Sequence, residues 1–281
     1  MNRQLKTKQP LTAEFCLQII RNTPLSASKK ILYNTNIMKT YKYETHLHTL
    51  EGSACGSSSG SDYIKPLFEA GYSGIFVTDH FFGGNTAAPR AHEADWKTRI
   101  NIYCSGYEKA FEAAKIFNKE NNLTGTAKEF KVFFGIEQTF HGDDYLVYGF
   151  DKAWLFAHPE IEHWNHAELF NAVNEVNGLM IQAHPFRMRN YIQAIHLHPR
   201  DVHGVEIYNA GNKASENVLA ELYAKEYDFP VTSGSDIHNV DFLPDEPGKL
   251  SVGGMIFDTP LADVFDYARR VKTKDYKLIK Y

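Results

Sequence analysis

Two histidines stand two positions apart, His46 and His48, at the end of a short run that alternates apolar and polar residues. In an extended strand, residues i and i+2 point to the same face, so both imidazoles can reach one metal ion. Further candidate ligands follow later apolar runs, namely Asp79, His80, Glu137, His184, Asp236 and His238. Neutral imidazoles and carboxylates suit Zn, Mn or Fe, and this set exceeds what one tetrahedral ion can use. We therefore expect two or three divalent metal ions.

Strand-like and helix-like stretches alternate from residue 39 onward, which predicts an α/β protein with a mostly parallel sheet. The predicted strands are 40–47, 74–79, 131–136, 145–150, 178–183, 203–208, 229–233 and 252–257. The predicted helices are 62–71, 104–120, 165–177, 213–227 and 260–271. The candidate ligands fall at or just beyond the carboxyl ends of five of these strands. Such ends converge on one face of a barrel, whereas an open doubly wound sheet gathers ligands from fewer strands, so the pattern favours a TIM-like barrel.

Composition excludes several classes of protein. The 281 residues are 43% hydrophobic, with a formal charge of −4 and a pI near 6.4, which argues against a general nucleic-acid binder. Three cysteines without paired spacing argue against a disulfide framework and favour a reducing compartment. No apolar run reaches the ~20 residues of a membrane helix, and the basic N-terminus lacks a convincing signal peptide. We expect a cytoplasmic protein that does not enter the membrane.

The chain divides unevenly. Residues 1–38 are polar and basic with one weak helical patch, and we expect a poorly ordered N-terminal extension or a cap. Residues 39–281 carry the alternating pattern and are expected to form a single barrel domain.

Five short motifs occur in one order along the chain. They are His46-Leu47-His48-Thr49, Thr78-Asp79-His80, Gly135-Ile136-Glu137, Ala183-His184-Pro185 and Gly234-Ser235-Asp236-Ile237-His238. Over roughly residues 40 to 258, this series resembles the ordered motifs of the PHP (polymerase and histidinol phosphatase) family. The resemblance implies a distorted seven-stranded (β/α) barrel, (β/α)7, a metal site at the carboxyl ends of its strands with up to three ions, and hydrolysis of phosphate esters.

The resemblance also implies a role for each matching residue. His46 and His48 match the first metal-binding pair, His80 a further ligand, and Glu137 a carboxylate that bridges two ions. His184 matches another ligand, and Asp236 with His238 the last pair. Asp79 could orient a metal-bound histidine or protonate the leaving group.

Two family positions have no clean match. Many members carry an Asp or His shortly after the first pair, where this chain offers Glu51 and Cys55, and we prefer Glu51 as the ligand. Many also carry a histidine shortly after the glutamate. Here His141, Asp143 and Asp144 are available, and we take Asp144 or His141 as the residue that could complete a site.

Other polar residues could contact substrate. Arg187 is a candidate phosphate clamp and catalytic group, because a guanidinium matches phosphate oxygens bidentately. Arg90 is a further candidate on a neighbouring loop. Glu206 and Asn209 could point into the barrel mouth, or they could merely satisfy backbone groups at a strand end.

We expect a metal-dependent phosphoesterase that hydrolyses a small phosphomonoester through attack by a metal-activated hydroxide. A histidinol phosphatase, or a phosphoesterase acting on nucleotides or on short oligonucleotide ends, is the more specific alternative, so nucleic acid enters only as a short substrate. Two alternatives belong to other classes: a non-catalytic metal-binding module and an amidohydrolase-like enzyme. The latter usually adds a lysine ligand on a middle strand, and Lys131 begins its predicted strand instead of ending it.

Overall fold

Nine strands form one sheet in the computed structural model, which describes residues 40–190, 192–242 and 252–280. The strands are β1 Tyr41–Leu47, β2 Gly74–Val77, β3 Lys131–Phe140, β4 Asp143–Tyr148, β5 Leu179–Gln182, β6 Gly204–Asn209, β7 Val231–Gly234, β8 Gly253–Phe257 and β9 Lys277–Lys280. Their order in the sheet is β7-β6-β5-β4-β3-β2-β1-β8-β9. Eight of these strands overlap the predicted ones, and the short strand β9 was not predicted.

The end of β1 brings the two sides of the sheet together. The backbone N–H of Asp236, just after β7, donates to the carbonyl of His46 at 2.8 Å, and the N–H of His48 donates to Ile237 at 2.9 Å. The N-terminal half of β1 instead pairs with β8, from Tyr41 to Tyr43. The sheet is therefore barrel-shaped and nearly closed, which confirms the predicted α/β barrel class.

The prediction of a mostly parallel sheet is wrong. The pairs β1–β2, β2–β3, β5–β6 and β6–β7 are parallel, but β3–β4, β4–β5, β1–β8 and β8–β9 are antiparallel. The turn between β3 and β4 explains part of this difference. It consists of His141 and Gly142, with φ of 54° and 92°, and two-residue turns with positive φ connect antiparallel strands.

Helices cover the segments between strands. The α-helices of the described chain are α1 Ile64–Glu69, α2 Trp96–Tyr103, α3 Ser105–Glu120, α4 Lys152–Ala157, α5 His166–Glu175, α6 Ala214–Glu226 and α7 Val264–Lys272. In α3, buried residues recur every fourth position, at Gly106, Ala110, Ala114 and Asn118, which gives the helix one face toward the core. Helices α2 and α4 were not predicted.

Buried polar side chains concentrate at one end of the barrel. Aromatic side chains such as Tyr43, Phe76, Tyr148 and Tyr267 pack together in the core and are fully buried. The buried polar residues of this end include Glu137 within β3 and, at or just after the ends of β1, β2, β5 and β6, His48, Asp79, His184 and Asn209. Burying polar groups is unfavourable unless they are paired, so this end of the barrel is the place to look for a site.

Among the described residues, no helix combines the length and the apolar character that crossing a membrane requires. The N-terminal extension, residues 1–38, lies outside the described residues, so its role stays a prediction.

Candidate metal centre

Two fully buried histidines begin the site, His46 in β1 and His48 directly after this strand. The Nε2 atoms of His46 and His48 lie 3.1 Å apart. The other ring nitrogen of each histidine makes a hydrogen bond: His46 Nδ1 lies 3.0 Å from Glu206 Oε1, and His48 Nδ1 lies 3.0 Å from Ser53 Oγ. Hydrogen bonds at Nδ1 fix both rings and leave Nε2 to bind a metal, as is usual around metal-bound imidazole.

Two carboxylates complete this first group of potential ligands. His46 Nε2 lies 3.3 Å from Glu137 Oε1 and 3.4 Å from Asp236 Oδ1, and His48 Nε2 lies 3.1 Å from the same Asp236 oxygen. Four ligands bound tetrahedrally at about 2.1 Å from an ion lie about 3.4 Å from one another. The spacing of these donor atoms therefore fits one divalent ion.

Glu137 lies between this group and two further histidines. Its Oε1 is 3.1 Å from His184 Nε2, and its Oε2 is 2.8 Å from His80 Nδ1. Both Glu137 Oε2 and His80 Nδ1 are buried without a hydrogen bond of proper geometry, which is unusual for polar atoms and is consistent with ligands aimed at a cation.

Several sets of potential metal ligands share these residues. In each group, the potential ligand atoms lie within 4.8 Å of one another. Among the described residues the groups are His46–His48–Glu137, His46–His184–Asp236, Glu137–Asp144–His184 and His48–His80–His238. The structure thus brings together eight of the predicted ligands, including Asp144, around Glu137.

The charges of the cluster depend on one another. Burial raises the pKa of Glu137, but the neighbouring imidazoles of His80 and His46 outweigh it and hold that pKa well below its ordinary value. Burial and the adjacent His80 lower the pKa of His48 to about 3, so this ring is neutral and able to bind a metal. For Asp236, the Arg187 guanidinium and His46 outweigh burial and hold the pKa well below the usual range.

Unusual backbone conformations place two of the ligands. His184 and Asp236, each just after a strand, have φ of 28° and 56°, a region that non-glycine residues adopt mainly at functional sites. Gly234 precedes Asp236, and a Cβ there would lie 2.4 Å from the Cβ of His46. Glycine is therefore required for β7 to approach β1 and present Asp236 to the cluster.

Asp79 anchors the loop that follows β1. Its Oδ1 accepts hydrogen bonds from Thr49 N at 2.6 Å and Ser53 Oγ at 2.7 Å, and its Oδ2 accepts one from Thr49 Oγ1 at 2.7 Å. Burial raises the pKa of Asp79 to about 6, although these bonds oppose the shift. Because Ser53 also contacts His48, Asp79 is placed to orient that histidine.

Glu51, the preferred ligand after the first pair, points elsewhere. Its carboxylate accepts hydrogen bonds from Lys109 Nζ at 2.8 Å, Ser59 Oγ at 2.5 Å and Gly60 N at 3.1 Å. It therefore caps a 3₁₀ turn, Gly60–Tyr63, and the structure does not bring it to the cluster. Cys55, the alternative, is an exposed free cysteine in the same loop; burial raises its pKa, but the imidazoles of His238 and His80 outweigh burial and lower the pKa to about 6.

His141 also lies apart from the cluster. It is exposed at the turn between β3 and β4, where its positive φ serves the turn. Arg90 is exposed on the loop after β2; its backbone N–H donates to the Glu93 carboxylate, and its carbonyl accepts from Glu93 N and Ala94 N. The structure gives neither residue a contact with the site.

Arg187 and Asn209 do lie at the site. Arg187 Nη2 donates to Asp236 Oδ2 at 2.5 Å and to Asn209 Oδ1 at 2.8 Å, while Nε donates to Asn212 Oδ1 at 2.8 Å. These bonds leave Nη1 without a partner among the described residues. Asn209 Nδ2 in turn donates to Glu206 at 2.9 Å. The guanidinium is thus held rigidly against a predicted metal ligand.

Two residues of the site escaped sequence reasoning in whole or in part. The sequence left two alternatives for Glu206, pointing into the barrel mouth or bonding to the backbone. In the structure it does both, since its carboxylate contacts His46 Nδ1 and accepts a hydrogen bond from His184 N at 3.1 Å. Ser53 was not singled out at all. A short polar residue in a glycine-rich and serine-rich loop carries no sequence signal for the bonds it makes.

No protein-family model matches the chain, and no curated protein does. Among solved structures, a two-domain protein containing a predicted PHP-like metal-dependent phosphoesterase, from Bacteroides vulgatus, superposes with a TM-score of 0.59 at 15% identity. The match covers 86% of this chain and 65% of that one, so the chain spans about two thirds of its length. The likeness shows that this chain shares the fold of that protein.

Two other solved structures are more distant in shape. PsfC from Pseudomonas syringae has a TM-score of 0.49 at 14% identity and covers 82% of this chain and 88% of its own. Endonuclease Q, in complex with a duplex bearing an abasic lesion, has a TM-score of 0.47 at 11% identity and covers 84% of this chain and 57% of its own.

Proposed function

We propose that this chain is a PHP-type domain and a metal-dependent phosphoesterase that hydrolyses a small phosphomonoester. The observation that carries the proposal is the convergence of imidazoles and carboxylates on the buried carboxylate of Glu137. A structural metal site needs only four ligands and leaves no open position, whereas this donor set exceeds that number.

Three positions for ions follow from the donor atoms. One would be held by His46, His48, Glu137 and Asp236, a second by Glu137, Asp144 and His184, and a third by His80 and His238 beside His48. Because Ser53 occupies Nδ1 of His48, the remaining Nε2 can bind only one ion, in either the first or the third position. We propose that two or three of these bind Zn, Mn or Fe, with Glu137 shared between the first two. When bound, such ions polarise phosphoryl oxygens and lower the pKa of a nearby water.

The protein's own residues orient this chemistry. Arg187 is held by Asp236, Asn209 and Asn212, and its free Nη1 can donate to a phosphoryl oxygen as negative charge develops there. Asp79 acts through Ser53: it accepts hydrogen bonds from Thr49 and Ser53, and Ser53 in turn contacts the ring of His48 and fixes its orientation. We assign Arg187 to substrate binding and Asp79 to positioning.

A small pocket supports a small substrate. It is lined by Asp144, His184 and Arg187 from the site, with Ile192 and Ile195 on the following segment. Polar side chains of the site and apolar side chains therefore line this pocket together, as is usual for small-molecule sites.

We further propose that strands β1 to β7 are the seven strands of a distorted (β/α) barrel, with β8 and β9 added beside β1, and that residues 39–281 form one domain. The sheet order and the hydrogen bonds between the ends of β1 and β7 support this assignment.

The test is hydrolysis by full-length protein, with metal content measured on the same samples. The substrates are histidinol phosphate, nucleoside monophosphates and short oligonucleotides. Wild type is compared with His80→Ala and Asp236→Ala, and with His92→Ala as the control, because His92 is an exposed histidine outside the cluster. We expect the first two variants to lose hydrolysis and the control to keep it. Retained hydrolysis in both correctly folded cluster variants would overturn the proposal.

A further inference from the structure

The pocket beside the metal centre has an apolar part that one segment supplies. Ile192 and Ile195 belong to the stretch between β5 and β6, and they line the same pocket as Asp144, His184 and Arg187. Ile192 is half-buried, and Ile195 is 38% exposed. Single exposed apolar side chains are common on protein surfaces, but two that line one pocket give it an apolar surface that a ligand can cover.

The backbone that carries Ile195 is held against the barrel by the next residue, His196. Gln182 Nε2, at the end of β5, donates to the carbonyl of His196 at 2.7 Å. His196 Nδ1 lies 2.6 Å from Asp143 Oδ2, at the start of β4. The apolar side chain is therefore in place before a ligand binds, which lowers the entropy cost of binding.

The acidic side chains of the pocket already have partners. The carboxylate of Asp143 contacts the His196 imidazole, and Asp144 Oδ1 accepts a hydrogen bond from Thr139 Oγ1 at 2.5 Å. Apart from Asp143, Arg187 and the predicted metal ligands, the described residues that line the pocket are apolar or glycine. A pocket that recognises a sugar or a nucleobase instead places polar groups against the hydroxyls and ring nitrogens of that ligand.

We propose that Ile192 and Ile195 select a phosphomonoester whose organic group is apolar, an alkyl or aryl group without hydroxyls, over a sugar phosphate or a nucleotide. The inference rests on the phosphoesterase proposed above and names its substrate class. The phosphoryl group meets Arg187 and the metal positions, and the organic group lies against the isoleucines. Contact there removes apolar surface from water on both sides, whereas a sugar gives up hydrogen bonds with water that this pocket does not replace.

The test compares two esters of similar shape, cyclohexylmethyl phosphate and glucose 6-phosphate. Both carry the phosphate on a primary carbon beside a six-membered ring, and they differ in the ring oxygen and the hydroxyls. Full-length protein loaded with Mn²⁺ is assayed as wild type, as Ile195→Ser and as Leu197→Ser. Leu197 is the matched control, because it is 40% exposed on the same segment but is not among the residues that line the pocket. We expect wild type and the control to prefer the cyclohexyl ester by at least about tenfold in kcat/KM, and Ile195→Ser to lose most of this preference through a higher KM, since one methylene group in an apolar pocket changes kcat/KM by ~10- to 200-fold.

A second measurement needs no hydrolysis. Cyclohexylmethylphosphonate and methylphosphonate carry the same charged group and differ by the ring, and calorimetry gives the Kd of each for the same Mn²⁺-loaded proteins. We expect the ring to tighten binding at least about tenfold in wild type and in Leu197→Ser, and clearly less in Ile195→Ser. Equal Kd values in wild type, or a preference that Ile195→Ser leaves unchanged, would overturn the inference.

The two measurements together separate this inference from the proposed function. A preference for the cyclohexyl phosphonate without hydrolysis of any ester refutes the phosphoesterase alone. Hydrolysis of both esters with equal kcat/KM, or faster hydrolysis of glucose 6-phosphate, refutes the apolar selection alone.

Discussion

Replacing Glu206 with glutamine tests whether a residue that touches no metal position still controls metal binding. Glu206 is buried; its Oε1 lies 3.0 Å from His46 Nδ1, and its Oε2 accepts bonds from His184 N at 3.1 Å and Asn209 Nδ2 at 2.9 Å. A carboxylate can accept all three bonds. An amide offers one acceptor and one donor end, so Glu206→Gln leaves a mismatch in either orientation.

Both orientations weaken the site. If the amide oxygen faces His46, its NH₂ group opposes the N–H donors of His184 and Asn209. If the NH₂ group faces His46, Nδ1 must become the acceptor, which moves the ring proton to the Nε2 that is needed for the metal. Losing such a charge-assisted bond costs about 1.5–3 kcal/mol, and outer hydrogen-bond partners of ligands change metal affinity by ~10- to 100-fold.

The assay is competition for Zn²⁺ or Mn²⁺ between the protein and a metal-binding dye. The matched control is Glu216→Gln, because Glu216 is also a buried carboxylate that accepts two backbone N–H bonds, from Met188 and Lys213, but lies outside the ligand groups. We expect Glu206→Gln to bind the tightest ion about 10- to 100-fold more weakly and the control to bind it as wild type does. A folded Glu206→Gln protein with wild-type affinity would refute the view that Glu206 sets the tautomer of His46.

Three further predictions follow from single contacts. Glu51→Gln should keep the wild-type metal content and lower the free energy of unfolding by only about 0.5–1 kcal/mol, since its partner Lys109 is largely exposed; elemental analysis and urea unfolding check this, and a lost ion would contradict it. Arg187→Lys should lower kcat/KM for the best phosphomonoester by at least about tenfold, because lysine cannot keep the forked bonds of the guanidinium; a fully active variant would show that the fork is dispensable. Burial raises the pKa of Asp266, but the hydrogen bond from Arg270 outweighs it and the pKa is about 2. Because the pKa of Asp266 is lower in the folded state than in the unfolded state, its ionised carboxylate stabilises the protein at neutral pH, and this stabilisation is lost as the pH falls toward the folded-state pKa. The difference in unfolding free energy between wild type and Asp266→Asn, about 1–2 kcal/mol at pH ~7, should therefore shrink by pH ~3. A difference independent of pH would contradict this prediction.

Much of the site could be predicted from local pattern. The alternation around His46 and His48 fixes both side chains on one face of a strand, whatever the rest of the chain does. Glu137 and His184 follow apolar runs long enough to be strands, and strand ends gather on one face of a barrel. Eight predicted ligands accordingly meet in the structure.

The relative directions of neighbouring strands were harder to predict. The two-residue turn of His141 and Gly142 was interpreted as a possible source of ligands, although its length and its glycine favour a hairpin. That turn makes β4 antiparallel to its neighbours and sends His141 to the surface, while Asp144, three residues later, comes back to the cluster.

The sequence by itself determined which strand ends carry imidazoles and carboxylates, because a strand's period of two is a local property. Only the tertiary structure decided that the carboxylate of Glu51 points away from the cluster. The direction of each side chain in that loop depends on anchors far away in the chain: Lys109 holds Glu51, and the carbonyl of His238 holds the backbone beside Cys55. Contacts between segments so far apart in the chain have no local signature, so the direction of the Glu51 side chain becomes visible only once the barrel has closed.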